Sequence, residues 1–193
     1  MQRSIQNYKC LKQEVFSNSN FKIVPIRYKD RLDIMKWRNE QMYHLRQNKL
    51  LTLKDQNNYF DNVVTKLFNQ DEPNQILFSY LENDICIGYG GLVNISWHDK
   101  RAEMSFLLNT DLTKDIHIYE SYFFTYIDLL KEITFEYLKF NKLFTETYDF
   151  REGHIRILEK KKFVLEGELK QHISLNNKYY SSLIHAILKD EKK

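Results

Sequence analysis

The sequence predicts an α/β (α+β) fold, with a central twisted sheet of about seven strands, mixed but mostly antiparallel, and about four flanking helices. Three observations support this. Apolar residues repeat at helical spacing within residues 59–68 and 119–138. Short strand-like runs separated by turn residues fill residues 76–108. A strand, a helix and a further strand then follow, which adds a crossover to the antiparallel meander.

The chain is expected to form one domain over residues 21–193, preceded by a polar extension over residues 1–20 that packs on it. The run FKIVPIRY at residues 21–28 predicts the first strand. Pro25 places this strand near a sheet edge, because proline cannot donate a ladder hydrogen bond.

Two helices are predicted after this strand. Asp30 is the expected N-cap of a helix over residues 31–41. Thr52 and Asp55 resemble a capping box at the start of the second helix. That helix is predicted to run through residues 59–68, where apolar pairs recur once per turn.

Three strands are predicted next, at residues 76–82, 85–95 and 102–108. The first two are joined by Asn83-Asp84, a pair that favours a tight hairpin turn. The middle strand carries three glycines, which indicate a bulge or a close approach of neighbouring backbone: Gly88, Gly90 and Gly91.

The second half of the chain is predicted to contain two helices and three strands. A long helix covers residues 119–138, a strand covers 142–148, and a short helix covers 153–161. Two more strands follow, FVLEGELKQHI and YYSSLIHAIL, with Asn176-Asn177 as the turn between them.

Composition excludes several classes of protein. The formal net charge of +3 is too small to indicate a nucleic-acid-binding protein. The two cysteines, Cys10 and Cys86, form no disulfide pattern. The first ten residues have no apolar signal region, and no apolar run is long enough to span a membrane. We therefore expect a cytoplasmic protein.

These elements, with the residues that they carry, resemble the Gcn5-related N-acetyltransferase superfamily over residues 21–188. The resemblance is closest to the branch with WRN on the first helix, here Trp37-Arg38-Asn39. The run IGYGGLVNISW leading into AEMSFLL matches the family's third and fourth strands, and ILEKKKFVLEGELKQHI matches its last helix and sixth strand. That branch holds amino-sugar acetyltransferases and acetyltransferases of ribosomal protein N-termini.

The resemblance implies that acetyl-CoA is the co-substrate and enters where the fourth and fifth strands separate. Its pantetheine arm would pair with exposed backbone of the fourth strand, where an N–H group could also stabilise the developing oxyanion. The residues concerned are Phe106, Leu107, Leu108 and Asn109.

The resemblance also implies a pyrophosphate site at the N-terminus of the helix after the fourth strand. Lys114 and His117 are the basic residues of that segment, which lacks the usual glycines. Arg151 and His154, near the start of the last helix, are further candidates for contact with the coenzyme.

Two residues of the last helix depart from the family pattern. Leu158 stands where a tyrosine usually protonates the departing thiolate, and Lys162 stands where a glycine usually ends the helix. A thiolate is a good leaving group, so solvent could supply its proton. We therefore expect a divergent but working enzyme.

Three residues are candidates for acid–base chemistry. Glu103 opens the fourth strand, where many relatives place a catalytic carboxylate, although a solvent-facing strand residue is the alternative. His98 is either a base at the substrate entrance or a surface-turn histidine. Tyr148 is either a replacement acid or a packed ring.

The acceptor site is expected under the first helix, because this region covers the acceptor in the family. The candidate substrate-binding residues are Trp37, Arg38, Asn39 and Arg46. The histidines and cysteines show no metal-ligand spacing, so no metal is predicted. Neither cysteine has a nucleophile motif, which favours direct transfer in a ternary complex over an acyl-enzyme.

The expected function is acetyl-CoA-dependent acetyl transfer to a primary amine of a small molecule, in particular an amino-sugar nucleotide of surface-carbohydrate biosynthesis. Two alternatives remain open at this point. One is acetylation of a protein N-terminus, and the other is a non-catalytic module that binds acyl-CoA or a partner. A monomer or homodimer without nucleic-acid partners is expected.

Overall fold

One mixed sheet organises the chain in the computed structural model, which describes residues 7–191. Its eight strands have the order β1-β2-β3-β4-β5-β6-β8-β7, and only the β5–β6 pair is parallel. The predicted fold class is confirmed, with one strand more than expected. The strands are β1 Phe16–Asn18, β2 Phe21–Pro25, β3 Ile76–Glu82, β4 Ile85–Ser96, β5 Arg101–Leu108, β6 Lys142–Tyr148, β7 Val164–Leu175 and β8 Lys178–Leu188.

The additional strand, β1, belongs to the segment expected to be an extension. It pairs antiparallel with β2, and its Phe16 ring is buried. The hydroxyl of Tyr8 accepts a hydrogen bond from the Leu77 N–H and donates one to the Leu77 carbonyl, both at 2.9 Å. Residues 7–20 are therefore held by the sheet, while residues 1–6 lie outside the described part of the chain.

Within residues 7–191, five helices cover the faces of the sheet. Two π-helical turns extend them: Phe60–Val64 joins α2 to α3, and Ile133–Tyr137 continues α4. None of the helices within residues 7–191 is long and apolar enough to cross a membrane. The bounds are α1 Arg31–Glu40, α2 Leu53–Tyr59, α3 Thr65–Leu67, α4 Ile116–Glu132 and α5 Glu152–Lys160.

The helix starts differ in how well local sequence predicted them. The capping box of α2 is confirmed, because the Thr52 hydroxyl accepts from the Asp55 N–H and the Asp55 carboxylate accepts from the Thr52 N–H. The predicted cap of α1 is wrong. Asp30 makes no capping hydrogen bond and instead forms a buried, two-pronged ion pair with Arg27, at 2.6 and 2.9 Å.

Turns and close contacts of the meander follow the prediction. Asn83 and Asp84 both have positive φ angles, 47° and 69°, as a tight hairpin with this twist requires. A Cβ added at Gly90 would lie 2.2 Å from the Ser105 carbonyl oxygen of the neighbouring strand. Only glycine therefore fits at this crossing of β4 and β5.

Lys162 ends the last helix in the conformation that its glycine counterpart would adopt. Its φ angle is 70°, and the following Phe163 N–H donates to the Leu158 carbonyl at 3.0 Å. Lys162 thus adopts the left-handed conformation that glycine usually adopts after a helix, and this conformation is strained for a lysine. The hydrogen bonding at the helix end is the usual one.

Candidate active site

A wedge opens between the two parallel strands. β5 and β6 are paired only at Arg101–Lys142, Ala102–Leu143 and Glu103–Phe144. Beyond this point each strand continues without the other, β5 to Leu108 and β6 to Tyr148. One edge of β5 therefore carries backbone groups that no strand pairs, which is the arrangement that an extended amide ligand requires.

The wedge forms a cleft of about 220 Å³. We call it the cleft throughout. It lies between β5, β6, the start of α5 and the loop after α1, and polar side chains make up much of its wall. The polar and charged lining residues are Arg38, His44, Arg46, Glu103, Ser105, Thr145, Glu146, Thr147, Tyr148, Arg151 and His154.

A second cavity, of about 330 Å³, adjoins the cleft beneath α1 and α2. We call it the helix-side cavity. Its wall is mostly apolar and aromatic, with Tyr59, Tyr89 and Phe106 among its residues. The two cavities share the residues Arg38, Leu45, Val93, Ser105 and Phe106.

Glu103 is held at the closed end of the wedge. It is only 7% exposed and accepts hydrogen bonds from Arg46 at 2.8 Å and from the Asn94 amide at 2.7 Å. Arg46 also bonds Glu146 of β6 at 2.5 Å. Although burial alone lowers it, the pKa of Arg46 is raised by these two carboxylates. The carboxylate of Glu103 is therefore fixed in position, and it shares the positive charge of Arg46 with Glu146.

Arg38 lies between the two cavities with uncharged partners. Its Nε donates to Gln47 at 2.9 Å, and its Nη1 donates to the Tyr89 hydroxyl at 2.5 Å. Within residues 7–191 it has no carboxylate partner. Burial raises the pKa of nearby Tyr59 to about 12, so its hydroxyl stays protonated and donates to Gln75. This part of the wall offers a cation and phenol groups to a ligand.

A buried network forms the other wall of the cleft. His154 of α5 stacks on Phe123 of α4, with ring centroids 4.4 Å apart and planes 16° apart. The Tyr119 hydroxyl lies 2.8 Å from His154 Nδ1, and the Arg151 guanidinium donates to Tyr119 at 3.2 Å. Burial first, and then Arg151, hold the pKa of His154 well below its usual range.

His44 completes this wall from the loop after α1. Its Nε2 lies 3.2 Å from the Gln41 side-chain oxygen, while its Nδ1 is buried without a partner in the described chain. Burial and the charge of Arg151 lower the pKa of His44 to about 3. The Gln41 amide also donates to the Leu108 carbonyl at 2.8 Å, which fixes the loop to the end of β5.

Seven of the predicted site residues line the cleft, and an eighth, Leu107, lines the helix-side cavity. Glu103, Phe106, Tyr148, Arg151 and His154 line the cleft, and Arg38 and Arg46 join it from α1 and the following loop. Burial raises the pKa of the Tyr148 hydroxyl, so this group is protonated at neutral pH.

Other predicted residues have different surroundings. Trp37 is buried in the core, and Asn39 braces the loop by bonding both the N–H and the carbonyl of Leu51. His98 is exposed in the turn between β4 and β5 and lines neither cavity.

The predicted pantetheine segment is mostly enclosed. The side chains of Leu107 and Leu108 are buried, at 3% and 1% exposure. The Leu108 carbonyl is taken by Gln41, and the Asn109 N–H donates to Ile87. The part of β5 that lies beyond its last pair with β6 and before these contacts is Met104 to Leu107, in which the Ser105 carbonyl accepts a hydrogen bond from the Tyr126 hydroxyl.

The predicted pyrophosphate site at the start of α4 is already satisfied by protein groups. The Asp115 carboxylate accepts hydrogen bonds from the His117 and Ile118 N–H groups, at 2.8 and 3.3 Å. Lys114 is paired with Asp111 at 2.6 Å. A phosphate would have to displace a carboxylate here, so this end fits the coenzyme less well than the wedge does.

Sequence reasoning missed several side chains of the candidate site. Gln41 and His44 lie between the predicted residues Asn39 and Arg46, and Tyr119 lies two residues after His117, but no motif marks these three side chains themselves. Glu146 had a usable signal. It lies two residues before Tyr148 in β6, and side chains two residues apart in a strand lie on the same face of the sheet.

Neither cysteine lies in the site. Burial raises the pKa of the Cys86 thiol to about 12 and that of Cys10 to about 11. Within residues 7–191 no group of three or more histidine, cysteine or acidic side chains could hold a metal ion. The site residues are therefore suited to acid–base and hydrogen-bond chemistry rather than to a thiol nucleophile.

Comparisons with known proteins agree with this architecture. A family model described as an acetyltransferase (GNAT) domain matches residues 23–184. A solved structure of spermidine N-acetyltransferase from Vibrio cholerae, in complex with CoA and spermine, is similar with a TM-score of 0.79 and 17% identity, over 91% of this chain and 99% of that chain.

A dodecameric form of spermidine N-acetyltransferase from Vibrio cholerae is also similar, with a TM-score of 0.73 and 16% identity, over 90% of this chain and 96% of that chain. At these identities the likeness supports the fold alone. No curated protein sequence matches the chain significantly.

Proposed function

The chain belongs to the GNAT acetyltransferase family, and from this membership we propose that it transfers an acetyl group directly to a primary amine of a small molecule bound in the helix-side cavity. It is an acyltransferase, and acetyl-CoA is its acetyl donor. The observation that carries the proposal is the wedge between β5 and β6, because the cleft that it forms has Glu103 in its wall and shares Arg38, Ser105 and Phe106 with the helix-side cavity.

The residues present support a division of tasks. The unpaired edge of β5 receives the extended arm of the coenzyme, with an N–H group available to the thioester oxygen. Glu103 takes a proton from the acceptor amine, directly or through a water molecule. Arg46 and Asn94 hold its carboxylate in place, and no cysteine is required.

We propose that the acceptor carries an anionic group in addition to its amine. Arg38 lines both cavities, is half-buried and has only neutral partners, so a phosphate or carboxylate could complete its charge pairing. An amino-sugar nucleotide belongs to this class of ligand. The volume of about 330 Å³ suits a small molecule, or one part of a larger one, better than a protein chain.

A polyamine is the second candidate. Asp55 lines the helix-side cavity, and Glu103 and Glu146 line the cleft, so carboxylates are available to a polycation. Two similar solved structures are those of spermidine N-acetyltransferases. Against this candidate, Glu103 and Glu146 are already neutralised by Arg46, and Arg38 would repel a cation.

Acetyl transfer from labelled acetyl-CoA to paired acceptors tests the choice. The set contains an amino-sugar nucleotide, the same amino sugar without phosphate, spermidine and a short peptide with a free N-terminus. We expect the phosphorylated acceptor to give the highest kcat/KM, and Arg38→Gln to lower that value about tenfold or more without the same loss for the unphosphorylated sugar. A preference for spermidine that Arg38→Gln increases would select the polyamine reading.

The peptide in the same set tests the remaining alternative, acetylation of a protein N-terminus. The non-catalytic alternative is not retained, because the matched family is one of acetyltransferases. A monomer or homodimer, acting in the cytoplasm, remains part of the proposal.

A further inference from the structure

We propose that the Nε2–H group of His154 donates the hydrogen bond that stabilises the departing sulfur of the coenzyme, and this inference rests on the proposed function. The resemblance to the family places a tyrosine for this task at position 158. Leu158 is fully buried in the core and has no polar atom to offer. His154 lies one helical turn earlier on the same face of α5 and lines the cleft.

The hydrogen bonds around His154 fix which ring nitrogen carries the hydrogen. Arg151 can only donate, so the oxygen of Tyr119 accepts its hydrogen bond at 3.2 Å. The Tyr119 hydrogen is then directed at His154 Nδ1, which lies 2.8 Å away and accepts it. A neutral imidazole that accepts at Nδ1 carries its hydrogen at Nε2.

The neutral form is favoured by the surroundings of the ring. Desolvation and the charge of Arg151 lower the pKa of His154, and His44 and His185 act in the same direction. The burial of Tyr119 raises the pKa of its hydroxyl, so this group remains a donor. His154 is therefore uncharged and donates at Nε2 across the working pH range.

Nε2 is the free atom of this network. Among residues 7–191 it has no hydrogen-bond partner, and His154 is one of the residues that line the cleft. Stacking on Phe123 holds the ring plane at 16° to its neighbour. The donor is thus fixed in direction before any ligand arrives, as a stabilising group for developing charge should be.

The reaction balances without a proton leaving His154. The C–N bond forms as the C–S bond of the thioester breaks, and the bonding electron pair remains on sulfur. The amine proton leaves through Glu103 or water, and solvent protonates the sulfur later. His154 only donates a hydrogen bond to the thiolate, and the positive charge of Arg151, 3.5 Å from Nδ1, acts in the same direction.

The thiol of bound CoA gives a readout that does not depend on turnover or on the acceptor. Its ionisation is followed by the ultraviolet absorbance of the thiolate as pH is raised. We expect the wild-type protein to lower the pKa of the bound thiol by about one unit or more relative to free CoA. His154→Gln places an N–H near the position of Nε2 and should keep this shift.

His154→Asn is the matched variant, because its amide retains a group near Nδ1 and has none at Nε2. It should lose the pKa shift of the bound thiol, remain folded at the assay temperature, keep the Kd for desulfo-CoA, and lower kcat about tenfold or more. If this variant does not fold, His154→Phe keeps the stacking on Phe123 and replaces it.

The outcomes separate the two proposals. Absence of CoA binding by the wild-type protein would overturn both. CoA binding with the same thiol pKa in the wild type and in His154→Asn would overturn only the role of His154. Loss of the shift in Tyr148→Phe, with His154→Asn unaffected, would also overturn it and assign the donor to Tyr148, which lines the same cleft.

Discussion

Glu103 is the proposed proton acceptor, and its replacement tests that role. Glu103→Gln keeps the shape and the Asn94 contact while removing the basic oxygen. We expect kcat to fall about 100-fold or more, with the Kd for acetyl-CoA nearly unchanged, because the carboxylate serves the acceptor rather than the coenzyme. Steady-state kinetics across pH and a binding titration provide the measurement.

Asn94 supplies the matched control for this prediction. Asn94→Ala removes one hydrogen bond to Glu103 but leaves the carboxylate paired with Arg46. A smaller loss of kcat is expected from it than from Glu103→Gln. Equal turnover of the Glu103→Gln variant and the wild type at every pH would contradict the role and leave proton acceptance to water.

Leu158 is a core residue by its surroundings, and its effect should fall on stability. Its side chain is completely buried between the helices and the sheet. Leu158→Ala should lower the free energy of unfolding by about 2–5 kcal/mol in a urea titration, because it leaves a cavity. Leu158→Met nearly conserves volume and should cost less than about 1.5 kcal/mol.

Leu158→Tyr separates an adapted site from a decayed one. The new ring has no free space at a fully buried position, so we expect loss of stability and no gain in kcat. A gain of tenfold or more would instead indicate that the site lacks a proton donor that the reaction requires, and would contradict the donor role of His154.

At the scale of single elements, the start of α4 is the least expected feature. Its first N–H groups bond Asp115, so a pyrophosphate meets a carboxylate at this helix end. Asp115→Ser keeps a cap and removes the charge. We expect the Kd for CoA to fall about two- to fivefold in a calorimetric titration.

Pantetheine, which lacks the phosphates, is the control ligand for Asp115→Ser. Its affinity should not change, because the substitution alters only an electrostatic contact with phosphate. Equal Kd values for CoA in the wild type and the variant would mean that the pyrophosphate lies elsewhere. The basic side chains that line the cleft would then be the candidates for binding the pyrophosphate.

Local sequence predicted elements well wherever the partner of a residue is close in the chain. The Thr52–Asp55 capping box spans three residues, and the two hairpin turns need only their own φ angles. Asp30 was mispredicted because an arginine three residues earlier competes with the helix N-terminus for its carboxylate. The Tyr119–His154 contact joins residues 35 positions apart, so no local pattern could reveal it.

At the scale of the whole molecule, the family resemblance supplied the wedge that periodicity alone could not. Residues 101–108 and 142–148 each predict an ordinary strand, and nothing in either run says that pairing stops after Glu103. β6 stays paired with β8 from Lys142 to Tyr148, whereas its pairing with β5 ends at Phe144. The site is therefore a property of the assembled sheet rather than of any one element.

The buried histidines of the cleft should make the stability of the whole fold depend on pH. The pKa of His44 in the folded state is lowered to about 3, mainly by burial, whereas the unfolded chain binds a proton near pH 6.5. The unfolded state therefore binds more protons below about pH 6.5. Stability must fall as the pH drops from there toward about 3.

His154 should add to this loss, since burial and Arg151 lower its pKa as well. For His44 the slope approaches about 1.4 kcal/mol per pH unit below pH 6.5, so this residue alone should cost about 2 kcal/mol between pH 6.5 and pH 5, and His154 acts in the same direction. Urea unfolding at a series of pH values measures this slope. His44→Gln should reduce the slope by the contribution of one proton, about 1.4 kcal/mol per pH unit. An unchanged slope would contradict a neutral, buried His44.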